Sequence, residues 1–147
     1  MTITYQQATN LDAEEIFSLC RQLILDYEDP QAIDLPLVLD WVHHKIQSSI
    51  SEYTAVYADG QKAGYYHFYR NEEGDQELDD LYIFPAFQNQ GIGSQILRSC
   101  LDSCIDPVVL YVFIKNVRAV ALYKRFGFEI VKVINGTRYL MRSGSRC

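Results

Sequence analysis

Several things are scarce in this sequence, and each scarcity removes a class of protein. No apolar run approaches the ~20 residues that a membrane-crossing helix needs. The first residues, Met1-Thr2-Ile3-Thr4-Tyr5, carry neither the basic region nor the apolar stretch of a secretory leader. Basic charge is in deficit: 13 Lys and Arg stand against 19 Asp and Glu, for a formal charge of -6. A nucleic-acid binder working through bulk electrostatics needs the reverse balance. The four cysteines, Cys20, Cys100, Cys104 and Cys147, include no CxxC pair and have no histidine near them in sequence. No metal site or disulfide framework is expected from them, and a reduced thiol set in a cytoplasmic protein is. Repeats and low-complexity tracts are also lacking.

What remains is the profile of one soluble globular domain, 48% apolar and only 22% charged over 147 residues. A chain of this length can bury roughly two-thirds of its unfolded surface without cross-links. One domain over 1–147 is expected, with 143–147 as a flexible tail.

Periodicity gives the order of elements. Ile3 to Ala8 reads as a short strand, and Asn10 or Asp12 can cap a helix carrying Ile16, Leu19, Leu23 and Ile24 at helical spacing. A second amphipathic helix after Pro36 carries Leu37, Val38, Trp41, Val42 and Ile46. From Tyr53 the period changes to two: Tyr53–Ala58 and Lys62–Arg70 form strands joined at Asp59-Gly60, and Glu77–Phe84 is the next. Ile92–Cys104 reads as a helix, Val108–Ile114 as a buried strand, and Asn116 caps a helix ending near Gly127. Glu129–Ile134 and Thr137–Arg142 close the chain as a hairpin at Asn135-Gly136. The sum is an α/β (α+β mixed) fold: a central, mixed, mostly antiparallel sheet of about seven strands flanked by about four helices.

The chemistry begins where the strand Glu77–Phe84 passes through Pro85 into Gln88-Asn89-Gln90-Gly91-Ile92-Gly93-Ser94 and a helix. Glycine at a helix entrance lets backbone approach a bulky anion, and the unpaired N–H groups of the first turn then point at it. A Walker loop is absent because the chain has no Gly-Lys pair, and the dinucleotide fingerprint fails because Ile96 stands where its third glycine belongs.

Gln88-Asn89-Gln90-Gly91-Ile92-Gly93 resembles the Q/R-x-x-G-x-G/A signature of the GNAT superfamily of acyltransferases. The later Asn116-Val117-Arg118-Ala119-Val120-Ala121-Leu122-Tyr123-Lys124-Arg125-Phe126-Gly127-Phe128 resembles the same family's N-x-x-A-x-x-L-Y-x-x-x-G-F element. The resemblance implies a GNAT-like fold and transfer of the acetyl group of acetyl-CoA to a primary amine by direct attack in a ternary complex. The alternative it leaves is a non-catalytic acyl-CoA sensor. It implies that N–H groups of Gln88, Asn89, Gln90, Gly91, Ile92, Gly93 and Ser94 hold the pyrophosphate. The strand at Leu81, Tyr82 and Ile83 would pair with the pantetheine arm, Asn116 would contact that arm, and Tyr123 would face the thioester sulfur. Family members often carry Arg or Lys in the pyrophosphate loop; here Gln88, Asn89 and Gln90 are neutral, with Lys124 or Arg125 as cations to hand. The acceptor would be a small-molecule or protein amine, and the closing hairpin leaves a homodimer open.

Acyl transfer needs a neutral amine, and at pH 7 only roughly one lysine-like amine in a few thousand is neutral. A base is therefore useful. Strict alternation puts Glu77, Asp79, Leu81 and Ile83 on one face and Leu78, Asp80, Tyr82 and Phe84 on the other. Family bases sit upstream of the Leu81 position, which nominates Glu77 and Asp79. Tyr123 lies two turns after Asn116 on nearly the same helix face, and its phenol can protonate the departing thiolate. Trp41, His43 and His44 are candidates to line the acceptor pocket, and only one of Tyr65 and Tyr66 can face it.

Overall fold

A capping box sets where the first helix begins. Thr9 Oγ1 accepts from the Leu11 N–H at 3.3 Å, and Asp12 returns a carboxylate oxygen to the Thr9 N–H at 2.8 Å. Thr9 caps a short 3-10 turn over Asn10–Asp12, and Asp12, one of the two expected residues, then stands at the N-cap of the α-helix without a side-chain bond to its first turn. The computed structural model describes residues 1–144.

The elements follow the expected order. Strand β1 (Ile3–Gln7) leads to α1 (Ala13–Tyr27) and α2 (Leu35–Ser48). Three strands follow, β2 (Tyr53–Ala58), β3 (Gln61–Arg70) and β4 (Gln76–Ile83). Then come α3 (Ile92–Asp102), β5 (Val108–Phe113), α4 (Val117–Arg125), β6 (Glu129–Ile134) and β7 (Arg138–Arg142). Asp34 caps α2 through the Leu37 N–H at 3.2 Å, and Pro36 occupies the first turn, where its missing donor costs nothing. Among the described residues no helix is long and apolar enough to cross a membrane. Ser143, which falls within the expected tail, is buried and exchanges two hydrogen bonds with Val108. Residues 145–147 of that tail, Cys147 included, lie outside the described residues; Cys20 and Cys100 are free thiols.

The sheet runs β1-β2-β3-β4-β5-β7-β6, and every neighbouring pair is antiparallel except β4 with β5. One face carries α3 and α4. There α3 buries Ile92, Ile96, Leu97, Cys100 and Leu101, the spacing of a single helical stripe, against Leu78, Leu110 and Met141. Each fully buried aliphatic side chain contributes about 1.5–3 kcal/mol. The other face carries α1 and α2, which set Ile16, Ile24, Val42 and Ile46 against Tyr53, Tyr65 and Tyr82.

Two irregularities of β4 shape everything that follows. On its β5 side, parallel pairing is confined to Gln76 with Val108 and Glu77 with Val109. Beyond that point the two strands share no further pairs, so the sheet is split along a seam. On its β3 side the register jumps from His67 opposite Asp80 to Phe68 opposite Leu78, which makes Asp79 the extra residue of a bulge.

The bulge corrects the expected faces. Leu78, Leu81 and Ile83 pack towards α3 and α4, whereas Asp80, Tyr82 and Phe84 lie on the α1 and α2 side. Asp79 joins that second set, since it pairs with Lys45 of α2. Strict alternation separates Asp79 from Asp80; the inserted residue puts their carboxylates side by side.

Candidate active site

At the C-terminal end of β4 the chain makes a 3-10 turn over Pro85–Phe87 and then a loop pinned by its own amides. Gln88 Nε2 donates to the Ile83 carbonyl at 3.0 Å, and Gln90 Nε2 to the Ala86 carbonyl at 3.2 Å. Asn89 and Gly91 both take left-handed backbone, at φ 65° and 80°. Gly91 is the N-cap of α3 and offers no side chain to its first turn, so the Ile92, Gly93 and Ser94 N–H groups keep their capacity for an anion. A Cβ on Gly91 would meet open space, so its glycine is required by φ and not by room.

The loop's cation was missed by sequence reasoning. Arg118, in the first turn of α4, donates Nη1 to Gln88 Oε1 and Nη2 to Asn89 Oδ1. Lys124 and Arg125, expected in that part, are exposed in the last turn of α4. The signal available was helical phase: Arg118 shares the helix start with the Asn116 cap, and the loop packs there.

Helix α4 places the phenol. Asn116 Oδ1 accepts from the Ala119 N–H at 3.4 Å, which fixes the helix start. Two turns later Tyr123 is buried in the α3–α4 core, its ring edge-on to Phe128 at 5.8 Å. Burial, then the Asp80 carboxylate, pushes its phenol above the ordinary tyrosine value, so it stays protonated.

On the opposite face the bulge gathers a buried polar cluster. Asp80 Oδ2 accepts from the Tyr53 hydroxyl at 2.7 Å and Oδ1 from the Tyr82 hydroxyl at 2.9 Å. Burial first, and the Asp79 charge second, push the Asp80 carboxyl above the usual range. Asp79 behaves in the opposite way. Burial opposes its charge, but His67 Nδ1 at 3.2 Å and the Lys45 ammonium, both on Oδ2, hold it below the ordinary carboxylate value. Glu77 is buried and accepts from Asn71 Nδ2 at 3.0 Å; burial raises it.

His67, Asp79 and Asp80 stand close enough to share a cation. The Lys45 ammonium already neutralises Asp79, and both Asp80 oxygens take tyrosine hydroxyls, so the group is balanced by protein donors. Asp80, His67 and Lys45 were not singled out as catalytic by sequence. The bulge that unites them is invisible to strand alternation, and Lys45 comes from a helix 34 positions away.

Of the adjacent tyrosines Tyr65 and Tyr66 on β3, Tyr65 points towards α1, bonding Asp12 at 2.9 Å and also Glu15, while Tyr66 packs in the other core. His43 pairs with Glu14 at 2.7 Å and packs on Phe17; Trp41 and His44 are exposed.

A split mixed sheet, a helix start open to anions at one end of the seam and a buried phenol beside it define the acyltransferase class of α/β fold. Residues 12–128 match the model of the Acetyltransferase (GNAT) family, and the chain belongs to that family. An uncharacterized N-acetyltransferase of Mycobacterium tuberculosis is 33% identical over 84 residues, 54% of this chain and 51% of the relative. The L-amino acid N-acetyltransferase AaaT of Escherichia coli K12 is 33% identical over 67 residues, 42% of this chain and 40% of its own. The chain thus spans about half the length of these curated relatives. Among solved structures, the PaiA N-acetyltransferase of Thermoplasma acidophilum in complex with coenzyme A superposes with a TM-score of 0.73. It covers 97% of this chain and 99% of its own at 17% identity, a likeness of fold.

Proposed function

We propose that the protein is an N-acetyltransferase that moves the acetyl group of acetyl-CoA to a primary amine within a ternary complex. The observation that carries this reading is the seam. The α3 start and Arg118 stand at one end of it, with Tyr123 on one face of the sheet and the Asp79-Asp80 pair on the other. The donors fit the cofactor's phosphates: unpaired N–H groups of Ile92, Gly93 and Ser94, and a guanidinium in place of a loop cation. The β4 backbone at Leu81, Tyr82 and Ile83, unpaired across the seam, offers the pantetheine amides a strand edge.

For the chemistry, Asp80 is a better base than either carboxylate nominated from sequence. Asp79 is tied down by Lys45 and His67 and holds its charge firmly, which makes it a weak proton acceptor. Glu77 sits where β4 and β5 are still paired. Asp80 lies beyond that point, and its raised carboxyl affinity for protons suits removal of one from an ammonium. The amine nitrogen then bonds to the acetyl carbon, the carbon–sulfur bond breaks, and Tyr123 gives its phenolic proton to the departing thiolate; the new amide nitrogen sheds its remaining extra proton to solvent, and solvent restores the phenol.

The acceptor favoured is a small cationic amine. Glu52, Glu77, Asp79 and Asp80 outnumber the cations Lys45 and His67 around the cluster. The test is thiol release from acetyl-CoA against a panel of polyamines, amino acids and peptide N-termini. Turnover with cationic small amines supports the reading. Tight coenzyme binding with no release across the panel would replace it with that of an acyl-CoA sensor.

A further inference from the structure

His67 is the most enclosed histidine of the chain, with 1% of its surface exposed. Its ring is sandwiched between Tyr53 at 4.3 Å and Tyr69 at 4.2 Å, nearly parallel to both. Each ring nitrogen meets a different carboxylate: Nδ1 lies 3.2 Å from Asp79 Oδ2, and Nε2 lies 2.9 Å from Glu52 Oε1. A ring that donates from both nitrogens to carboxylates is an imidazolium. Two flanking tyrosines keep it from turning, so it cannot ferry protons by flipping. It can only hold what it touches.

What it touches is the bulge residue. We propose that Glu52 and His67 are positioning residues for acetyl transfer: Glu52 holds the His67 ring, and the ring holds Asp79, so that Asp80 alone is left to accept the proton of the acceptor amine. This rests on the function proposed above. The charged and titratable groups around His67 come from several elements. They are Lys45 of α2, Glu52 in the turn before β2, Tyr53 of β2, Tyr69 of β3, and Glu77, Asp79 and Asp80 of β4. Side-by-side carboxylates repel, and such a pair titrates as a unit. With His67 and Lys45 both on Asp79, that oxygen stays anionic and the first proton taken up goes to Asp80. Without the imidazolium, the pair takes up its first proton at higher pH.

The experiment compares wild type with His67→Gln and Glu52→Gln. Glu52→Gln keeps the imidazolium and is read through the ring titration, whereas in His67→Gln, which removes it, the acid limb of the kcat/KM profile for the amine moves to higher pH. There kcat drops by about tenfold or more, and KM for acetyl-CoA is unchanged. Rates that fall uniformly, with the acid limb in place, would mean that His67 only packs, and would overturn the proposal. Glu52 is half-exposed at the rim, so Glu52→Gln carries the test if His67→Gln fails to fold. A readout free of turnover separates this idea from the function it rests on. The His67 ring resonances should titrate at lower pH in Glu52→Gln and in Asp79→Asn than in wild type. An unmoved ring titration removes the positioning role even in an active enzyme. A moved one supports it, and failure of the wild type on the amine panel overturns the acetyltransferase reading instead.

Discussion

Arg118 reaches from the first turn of α4 to the loop before α3, where its guanidinium bonds the Asn89 side chain at 2.5 Å and the Gln88 side chain at 3.4 Å. A loop of neutral residues thereby acquires a fixed positive charge at the open end of a helix. Arg118→Ala should weaken coenzyme A binding by about tenfold or more, the worth of a charge-assisted contact. The remaining affinity should depend less on salt. Gln90→Ala removes only a bond to the Ala86 carbonyl and should be mild. Calorimetric titration with coenzyme A at two salt concentrations checks both, and equal affinities for wild type and Arg118→Ala would dismiss the guanidinium from the site.

Glycine makes two different demands near the site. Gly91 holds φ 80° with open space around it, so Gly91→Val strains the backbone by about 1–2 kcal/mol and should abolish coenzyme binding by turning the α3 donors. Gly64 has an ordinary φ but no room: a Cβ there would stand 1.9 Å from the Tyr82 carbonyl oxygen. Gly64→Ala must push β3 away from β4 at its Tyr82–Ile83 end, on the same strand pair that carries the bulge. A loss of about 3 kcal/mol or more is expected, read by denaturant unfolding. A Gly64→Ala protein as stable as wild type would contradict the close approach.

These contrasts show what the sequence could and could not disclose. The α3 entrance was legible because positive φ selects glycine, and strand, turn and glycines lie within one short stretch. The order of elements was legible because apolar period switches from helical to alternating at Tyr53. The faces of β4 were not, because Asp79 enters as one extra residue and alternation has no means of registering a bulge. Tyr123 was nominated by the resemblance of Asn116–Phe128 to a family element, which a local pattern can carry. Lys45 and His67 meet Asp79 only through tertiary packing, which no local pattern encodes.

The Asp79 cluster has a stability signature with two edges. Asp79→Asn leaves the Lys45 and His67 charges without their shared anion, and should cost about 3 kcal/mol near neutral pH. Asp79 titrates below 3.8 in the fold, so its contribution is complete above that value and is lost as pH falls through the lowered one. His67 is raised above 6.5, so its contribution is complete below that value and fades as pH rises through the raised one. The stability gap between wild type and Asp79→Asn should therefore be widest between these edges and narrow on both sides. Urea titrations across the acid and alkaline range measure it, and a gap independent of pH would show that the pairing contributes nothing.

Tyr123 allows the sharpest separation of binding from chemistry. The ring is buried against Phe128, so Tyr123→Phe keeps nearly all of its apolar contacts and removes one oxygen. Burial, and after it the Asp80 charge, keep the phenol protonated well past neutral pH, which is the state a proton donor must be in. If Tyr123 protonates the departing thiolate, Tyr123→Phe should lower kcat by roughly a hundredfold and leave the dissociation constant of acetyl-CoA within about twofold. The loss should shrink with acyl donors whose thiol is more acidic, because a better leaving group needs its proton less. Stopped-time thiol release with such donors reads this directly. A uniform loss across donors would reduce Tyr123 to a packing residue, and the thiolate would then have to take its proton from solvent admitted along the β4–β5 seam.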